Sequence, residues 1–128
     1  MENVNLEREK KLKEYFGAWI SNDPSCLTSL FSPSITYTEC YGPVYYGIEQ
    51  IKRWFLDWHL KGKVIVWDIK QFIHQRDNTI VEWYFECVYE NTRSGFDGIS
   101  LIIFDDLGEV VSLKEFQSKA EHYQPYAD

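Results

Sequence analysis

A chain of 128 residues is the length of one domain, and with 45% hydrophobic and 17% aromatic residues it can bury a core of its own. Its net charge of −7, from 13 basic and 20 acidic residues, excludes a surface that grips nucleic acid through its phosphates. There is no apolar leader run and no apolar stretch of membrane-spanning length, and the three cysteines are widely spaced with no CxxC pair, so a soluble, cytoplasmic, thiol-reduced protein with no membrane contact is expected.

The first third reads as helical. Leu12, Tyr15, Phe16, Trp19 and Ile20 share a face at helical spacing, which predicts a helix over about residues 5–21. Its cations Arg8, Lys10, Lys11 and Lys13 alternate with Glu7, Glu9 and Glu14, the pattern of a solvated face. Asn22-Asp23-Pro24 ends this helix and starts a short one, with Asp23 as N-cap and Pro24 as first helical residue. Leu27, Leu30 and Phe31 form its buried face, and Ser32-Pro33-Ser34 stops it. A strand over 35–41 follows, then a Gly42-Pro43 break and a short return strand over 44–46. Gly47 opens a third helix with Ile48, Ile51, Phe55 and Trp58 on one face and Gly62 just past its end.

The remainder reads as a meander of strands over 63–75, 79–90, 96–104 and 109–116, with turns at 76–78, 91–95 and 105–108. Helices first and a meander after predict a single α+β domain over 1–128, with the helices on one face of a mainly antiparallel sheet. In the second long strand Val81, Trp83, Phe85, Cys87 and Tyr89 alternate with Glu82, Tyr84, Glu86 and Val88, so the first set faces the helices. The third strand is apolar on both faces, with Ile99, Leu101 and Ile103 on one and Ile102 and Phe104 on the other. Such a strand needs a second cover, and a homodimer through the outer sheet face is the expected one. His59, His74 and His122 are scattered and show no HxxxH spacing, and GxSxG, P-loop and GxGxxG patterns are missing, so neither a metal nor a cofactor is expected.

Several local patterns carry a resemblance to a known group. They are Lys13-Glu14-Tyr15-Phe16-Gly17-Ala18-Trp19 followed by Asn22-Asp23, Leu30-Phe31 before a β-run, Gly47-Ile48-Glu49-Gln50-Ile51, and Phe104-Asp105-Asp106-Leu107-Gly108-Glu109-Val110. In this order the chain resembles the nuclear transport factor 2-like superfamily, which includes scytalone dehydratase, ketosteroid isomerase and SnoaL-like polyketide cyclases. The resemblance implies a cone-shaped roll, about three N-terminal helices packed in a strongly curved sheet that encloses an apolar pocket. It also implies a small apolar ligand in that pocket.

Set against ketosteroid isomerase, the resemblance puts a carboxylate base at Glu39 and a hydrogen-bond donor at Tyr15. Each residue has two open placements. Glu39 enters the cavity or faces solvent at the strand end, and Tyr15 donates into the cavity or sits in the core with its hydroxyl on a backbone carbonyl. The isomerase's buried Asp falls on Ser100 and its supporting Tyr on Phe55, so the full oxyanion site is missing and ketosteroid isomerisation itself is not expected. Trp83, Phe55, Cys87 and Leu113 are the expected apolar contacts, with Ser100 and Gln117 as polar ones. An Asp–His dyad of the scytalone dehydratase kind stays open if His59 or His74 reaches the cavity. Two functions thus remain: a cofactor-independent isomerase, dehydratase or cyclase, and a non-catalytic ligand-binding or dimeric association domain.

Overall fold

The computed structural model describes residues 2–118 and 121–127, and its elements follow the expected order. Helix α1 (Glu2–Ser21) leads into a 3-10 turn (Pro24–Cys26), a single-turn helix α2 (Leu27–Leu30) and strand β1 (Phe31–Thr38). Strand β2 (Val44–Tyr46) and helix α3 (Ile48–Lys61) precede the meander β3 (Gly62–Gln75), β4 (Asn78–Tyr89), β5 (Thr92–Phe104) and β6 (Val110–Gln117). The six strands form one mixed sheet in the order β2-β1-β6-β5-β4-β3. The β1–β6 pair is parallel and the other neighbours are antiparallel. The architecture is the α+β roll that the resemblance implies.

Leu12, Tyr15, Phe16 and Trp19 recur at i, i+3, i+4 and i+7, and all four are buried against the sheet. Phe16 stacks on Trp67 of β3 with ring centroids 4.0 Å apart. Ile20 was expected on the same face but is exposed, because it sits in the last turn at the edge of the stripe. Phe31, expected on the short helix, is the first residue of β1 instead. Pro33 then fits inside the strand because the β1–β6 register slips between Phe31 and Thr36, which frees its position from the ladder.

Strand β3 curls the sheet. Its inward residues are Val64, Trp67, Ile69 and Phe72, spaced three, two and three, and the two long steps coincide with register shifts at Val64/Val66 and Ile69/Gln71. Each bulge bends the strand and raises its twist, so β3 wraps the helices. The β4–β5 connection is tighter than expected. Glu90 and Asn91 both have positive φ, 49° and 67°, the primed turn whose twist matches a two-residue hairpin, so β5 begins at Thr92. In β4 the expected inward residues Val81, Trp83, Phe85 and Cys87 are buried, and Tyr89, the last of the set, is half-buried at the strand end. On the outer face Ile80, Ile99, Leu101 and Ile103 are half-buried, while Ile73 and Phe116 are exposed. No helix among the described residues is long and apolar enough to cross a membrane.

Candidate functional site

A cavity of about 920 Å³ opens between α3, the β1–β2 connection and the paired ends of β4 and β5. Its wall includes Glu39, Tyr41, Tyr45, Trp54, Trp58, Cys87 and Tyr89, with Arg53, Asp57 and Lys61 also lining it. It adjoins an inner pocket of about 40 Å³ that shares Glu39, Tyr41, Trp54 and Trp58. All five tryptophans line the inner pocket, together with Phe85, Phe96, Cys40 and Glu115. The local structure explains their convergence. Trp54 and Trp58 are four apart on α3 and so share a face. Trp19 ends the buried stripe of α1, and Trp67 and Trp83 lie on the inner faces of β3 and β4. Trp83 can approach closely because its ring lies over Gly98, where a Cβ would overlap both that ring and the Phe116 carbonyl oxygen.

Glu115 is the chemical centre of the inner pocket. It lies on β6 opposite Ser100 of β5, two residues beyond the buried Leu113 and on the same face. The Tyr37 hydroxyl donates to its Oε2 at 2.5 Å, and the Tyr15 hydroxyl donates to the Tyr37 oxygen at 2.8 Å. Burial pushes the Glu115 carboxyl from its ordinary value up to about 7, and the negative charge of Glu39 adds to the rise. The Tyr37 hydrogen bond and the Cys40 backbone pull the other way. Burial, then the Glu115 charge, pushes both phenols well above their usual range, so they stay protonated and act as donors.

Glu39 follows β1 directly and is half-buried. It accepts a hydrogen bond of 2.8 Å from Tyr45, whose ring stacks on Trp54 at 4.6 Å. Burial raises this carboxyl too, and the Tyr45 hydroxyl opposes the rise. The Cys40 thiol beside them is pushed up to about 12, first by burial and then by the two carboxylates, so it is not a thiolate nucleophile at neutral pH.

The predicted site residues separate into groups. Glu39 and Trp83 stand in the inner wall and Cys87 in the outer one. Tyr15 lines neither space, since it is fully buried behind Tyr37 and its only proton goes to Tyr37. Ser100 is also buried, and its hydroxyl accepts from Trp83 Nε1 at 2.9 Å, so it fixes the indole. Phe55 is packed between Trp19 and His59, Leu113 is in the core, and Gln117 pairs with Gly98 at the end of β6; none of the three lines the cavity.

The histidines are spent elsewhere. His59 places its ring nitrogens 2.8 and 2.9 Å from the Phe55 and Trp19 carbonyl oxygens, which ties α3 to α1. His74 contacts Thr79 and Glu9 on the far side. No group of three His, Cys, Asp or Glu side chains converges among the described residues. Sequence reasoning missed Glu115 and Tyr37 as site residues. A signal existed, since the period of two that runs through Leu113 and Gln117 also puts Glu115 on the inner face.

The SnoaL-like domain family matches the chain over residues 12–113. No curated protein matches its sequence. Solved structures match in fold. One is a hypothetical protein with a ketosteroid isomerase-like fold from Catenulispora acidiphila, in complex with trimethylamine, at 20% identity and TM-score 0.75, covering 85% of each chain. A second is an LEH-like epoxide hydrolase from M. tuberculosis, at 11% identity and TM-score 0.78, covering 88% of this chain and 84% of that one. A third, an NTF-2 like protein of unknown function from Burkholderia xenovorans, has 15% identity and TM-score 0.75 over 95% of this chain and 91% of that one.

Proposed function

This chain belongs to the SnoaL-like domain family, and from that premise we propose that it is a cofactor-independent acid–base enzyme for a small, largely apolar substrate. The observation that carries the reading is the carboxyl pair of the inner pocket, each member held by a tyrosine hydroxyl and set in aromatic walls. Glu115, pushed up to about 7 by burial, can still carry its proton near neutral pH and serves as the acid. Glu39 serves as the base, and the two roles are separated first by the burial that lifts Glu115 to about 7 and only second by the charge of Glu39. Glu39 takes a proton from an activated carbon. Glu115 gives its proton to the substrate oxygen, as a carbonyl enolises or a hydroxyl leaves as water. Tyr37, backed by Tyr15, orients the Glu115 carboxyl and touches no substrate; Tyr15 is therefore a positioning residue. The chemistry is that of an isomerase, dehydratase or cyclase.

The structure from Catenulispora acidiphila adds a small amine to the candidate ligands of the cavity. The test is a panel of small β-hydroxyketones and β,γ-unsaturated ketones followed by NMR in deuterated water. Turnover or deuterium exchange is expected from the wild type and is expected to be lost in Glu39→Gln and Glu115→Gln. Exchange that survives in Glu39→Gln removes the assigned base, and a wild type that binds panel members without exchange makes the cavity a binding site.

A further inference from the structure

A buried N–H group normally finds an acceptor, because one left unpaired has lost its water and gained nothing in return. Three indoles that line the inner pocket are buried, those of Trp19, Trp67 and Trp83. Their N–H groups differ. Trp83 donates to the Ser100 hydroxyl at 2.9 Å. Trp19 Nε1 has no partner in hydrogen-bond geometry, yet it stands close enough to the Tyr15 hydroxyl to oppose the burial that raises that phenol. Trp67 is only 7% exposed, and its Nε1 is buried with no acceptor among the described residues.

The neighbours of Trp67 explain why the chain itself supplies none. Phe16 stacks on its ring at 4.0 Å, and Trp83 and Phe85 meet it at 89° and 76°. Phenylalanine carries no acceptor oxygen, and the Trp83 indole is itself a donor. The nearby carboxyls, Glu39 and Glu115, are held by Tyr45 and Tyr37. Trp67 borders the inner pocket. An acceptor for its N–H therefore has room in that pocket and none within the packed rings.

The wall decides which acceptor fits. Two carboxyls line the inner pocket, with no Lys, Arg or His among its lining residues. A carboxylate or phosphate oxygen would meet negative charge there without a counter-ion, in a chain of net charge −7. A neutral carbonyl oxygen carries no such penalty and can accept two hydrogen bonds. The space of about 40 Å³ admits a few heavy atoms at most. Glu39 lines both spaces, whereas Trp67 and Glu115 line only the inner one. A carbonyl compound that enters oxygen first places that oxygen near Trp67 and Glu115 and the adjoining carbon near Glu39. Its bulk stays in the outer cavity of about 920 Å³.

We propose that Trp67 contacts the substrate, its indole N–H donating to the carbonyl oxygen of a small neutral ketone or aldehyde, the same oxygen that Glu115 protonates. This deepens the acid–base reading and rests on it. An indole N–H only donates, so Trp67 binds and orients the carbonyl and moves no proton. Its hydrogen bond strengthens as negative charge grows on the oxygen during enolisation.

Cyclohexanone and methylenecyclohexane share a shape, and only the first has an acceptor oxygen. Each is titrated at pH 7 into the full chain carrying 15N-labelled tryptophan, and the Trp67 indole resonance is assigned through its contacts with Phe16. Neither probe has a ring current. The Trp67 N–H proton is expected to move downfield with cyclohexanone and not with methylenecyclohexane, while the Trp83 N–H, already held by Ser100, stays in place as internal reference. Trp67→Phe keeps an aromatic ring without the donor. It is expected to weaken cyclohexanone binding about tenfold and to leave methylenecyclohexane within about twofold. If that variant fails to fold, the wild-type resonance decides alone. A Trp67 resonance that stays put while cyclohexanone binds marks an N–H held inside the core by a ring face or a trapped water, and overturns the proposal. A ketone preference that survives Trp67→Phe overturns it too, as does failure of both probes to bind. The acid–base reading is decided separately, by whether deuterium exchange is lost in Glu39→Gln.

Discussion

Replacing Glu115 by Gln should make the protein more stable at pH 8 while stopping its chemistry. The Glu115 carboxyl is raised from 4.5 to about 7 in the folded protein, so the folded state binds this proton more tightly than the unfolded chain does. The sign follows from linkage. The contribution of this group to stability is full below about 4.5, is lost as pH rises through about 7, and is constant above that. At about 1.4 kcal/mol per pKa unit, the loss across that window is up to about 3 kcal/mol. An amide of the same shape can still accept from Tyr37 and carries no charge to bury. The variant should therefore match the wild type near pH 4.5 and exceed it by about 1–3 kcal/mol at pH 8, the lower figure allowing for solvent reaching the carboxyl through the cavity. Urea unfolding of both proteins across this range gives the difference directly. Parallel stability curves for the two proteins would refute the placement of a strained carboxyl at residue 115.

Three further outcomes follow from the same structure. Tyr37→Phe removes a hydroxyl that holds the Glu115 carboxyl down, so the alkaline limb of any pH–rate profile, where the acid loses its proton, should move upward from about 7, and a limb that moves downward contradicts the relay. The variant also leaves the Tyr15 hydroxyl without its acceptor and should cost about 1–3 kcal/mol of stability, read in the same urea titration. Gly98→Ala drives a methyl into the Trp83 ring and the Phe116 carbonyl; a loss of about 1–3 kcal/mol and an inner pocket closed by the displaced indole are expected, and an unchanged melting curve speaks against that close approach. If the outer sheet face pairs two copies, as its exposed Ile73 and Phe116 suggest, Phe116→Glu should convert a dimer to a monomer in light scattering, and a wild-type monomer at high concentration ends that proposal.

Much of the fold was legible because its elements obey simple periods. The stripe Leu12–Tyr15–Phe16–Trp19 and the alternation Val81–Trp83–Phe85–Cys87 each name their buried face directly. Strand β3 was less legible, since its two bulges break the period of two and its inward set reads as no pattern. The parallel β1–β6 pairing joins residues far apart in sequence and leaves no local signal. At the site, Glu39 is legible through the resemblance to ketosteroid isomerase, which puts a carboxylate base there, whereas Glu115, between Lys114 and Phe116, has no counterpart in that resemblance. Its character comes from Tyr37, which lies 78 residues away, and only the closed sheet brings the two together. Tyr15 was recognised as a hydroxyl needing a partner; that the partner is another tyrosine, rather than a ligand, depends on packing between α1 and β1.

The carboxyl carbon of Glu115 can be followed by carbon NMR from pH 4 to pH 9 without knowledge of any substrate. The account predicts a midpoint near 7, raised further in Tyr37→Phe. A midpoint at the ordinary carboxylate value near 4.5 would contradict it, because a carboxyl that is ionised throughout the neutral range cannot supply the proton assigned to it.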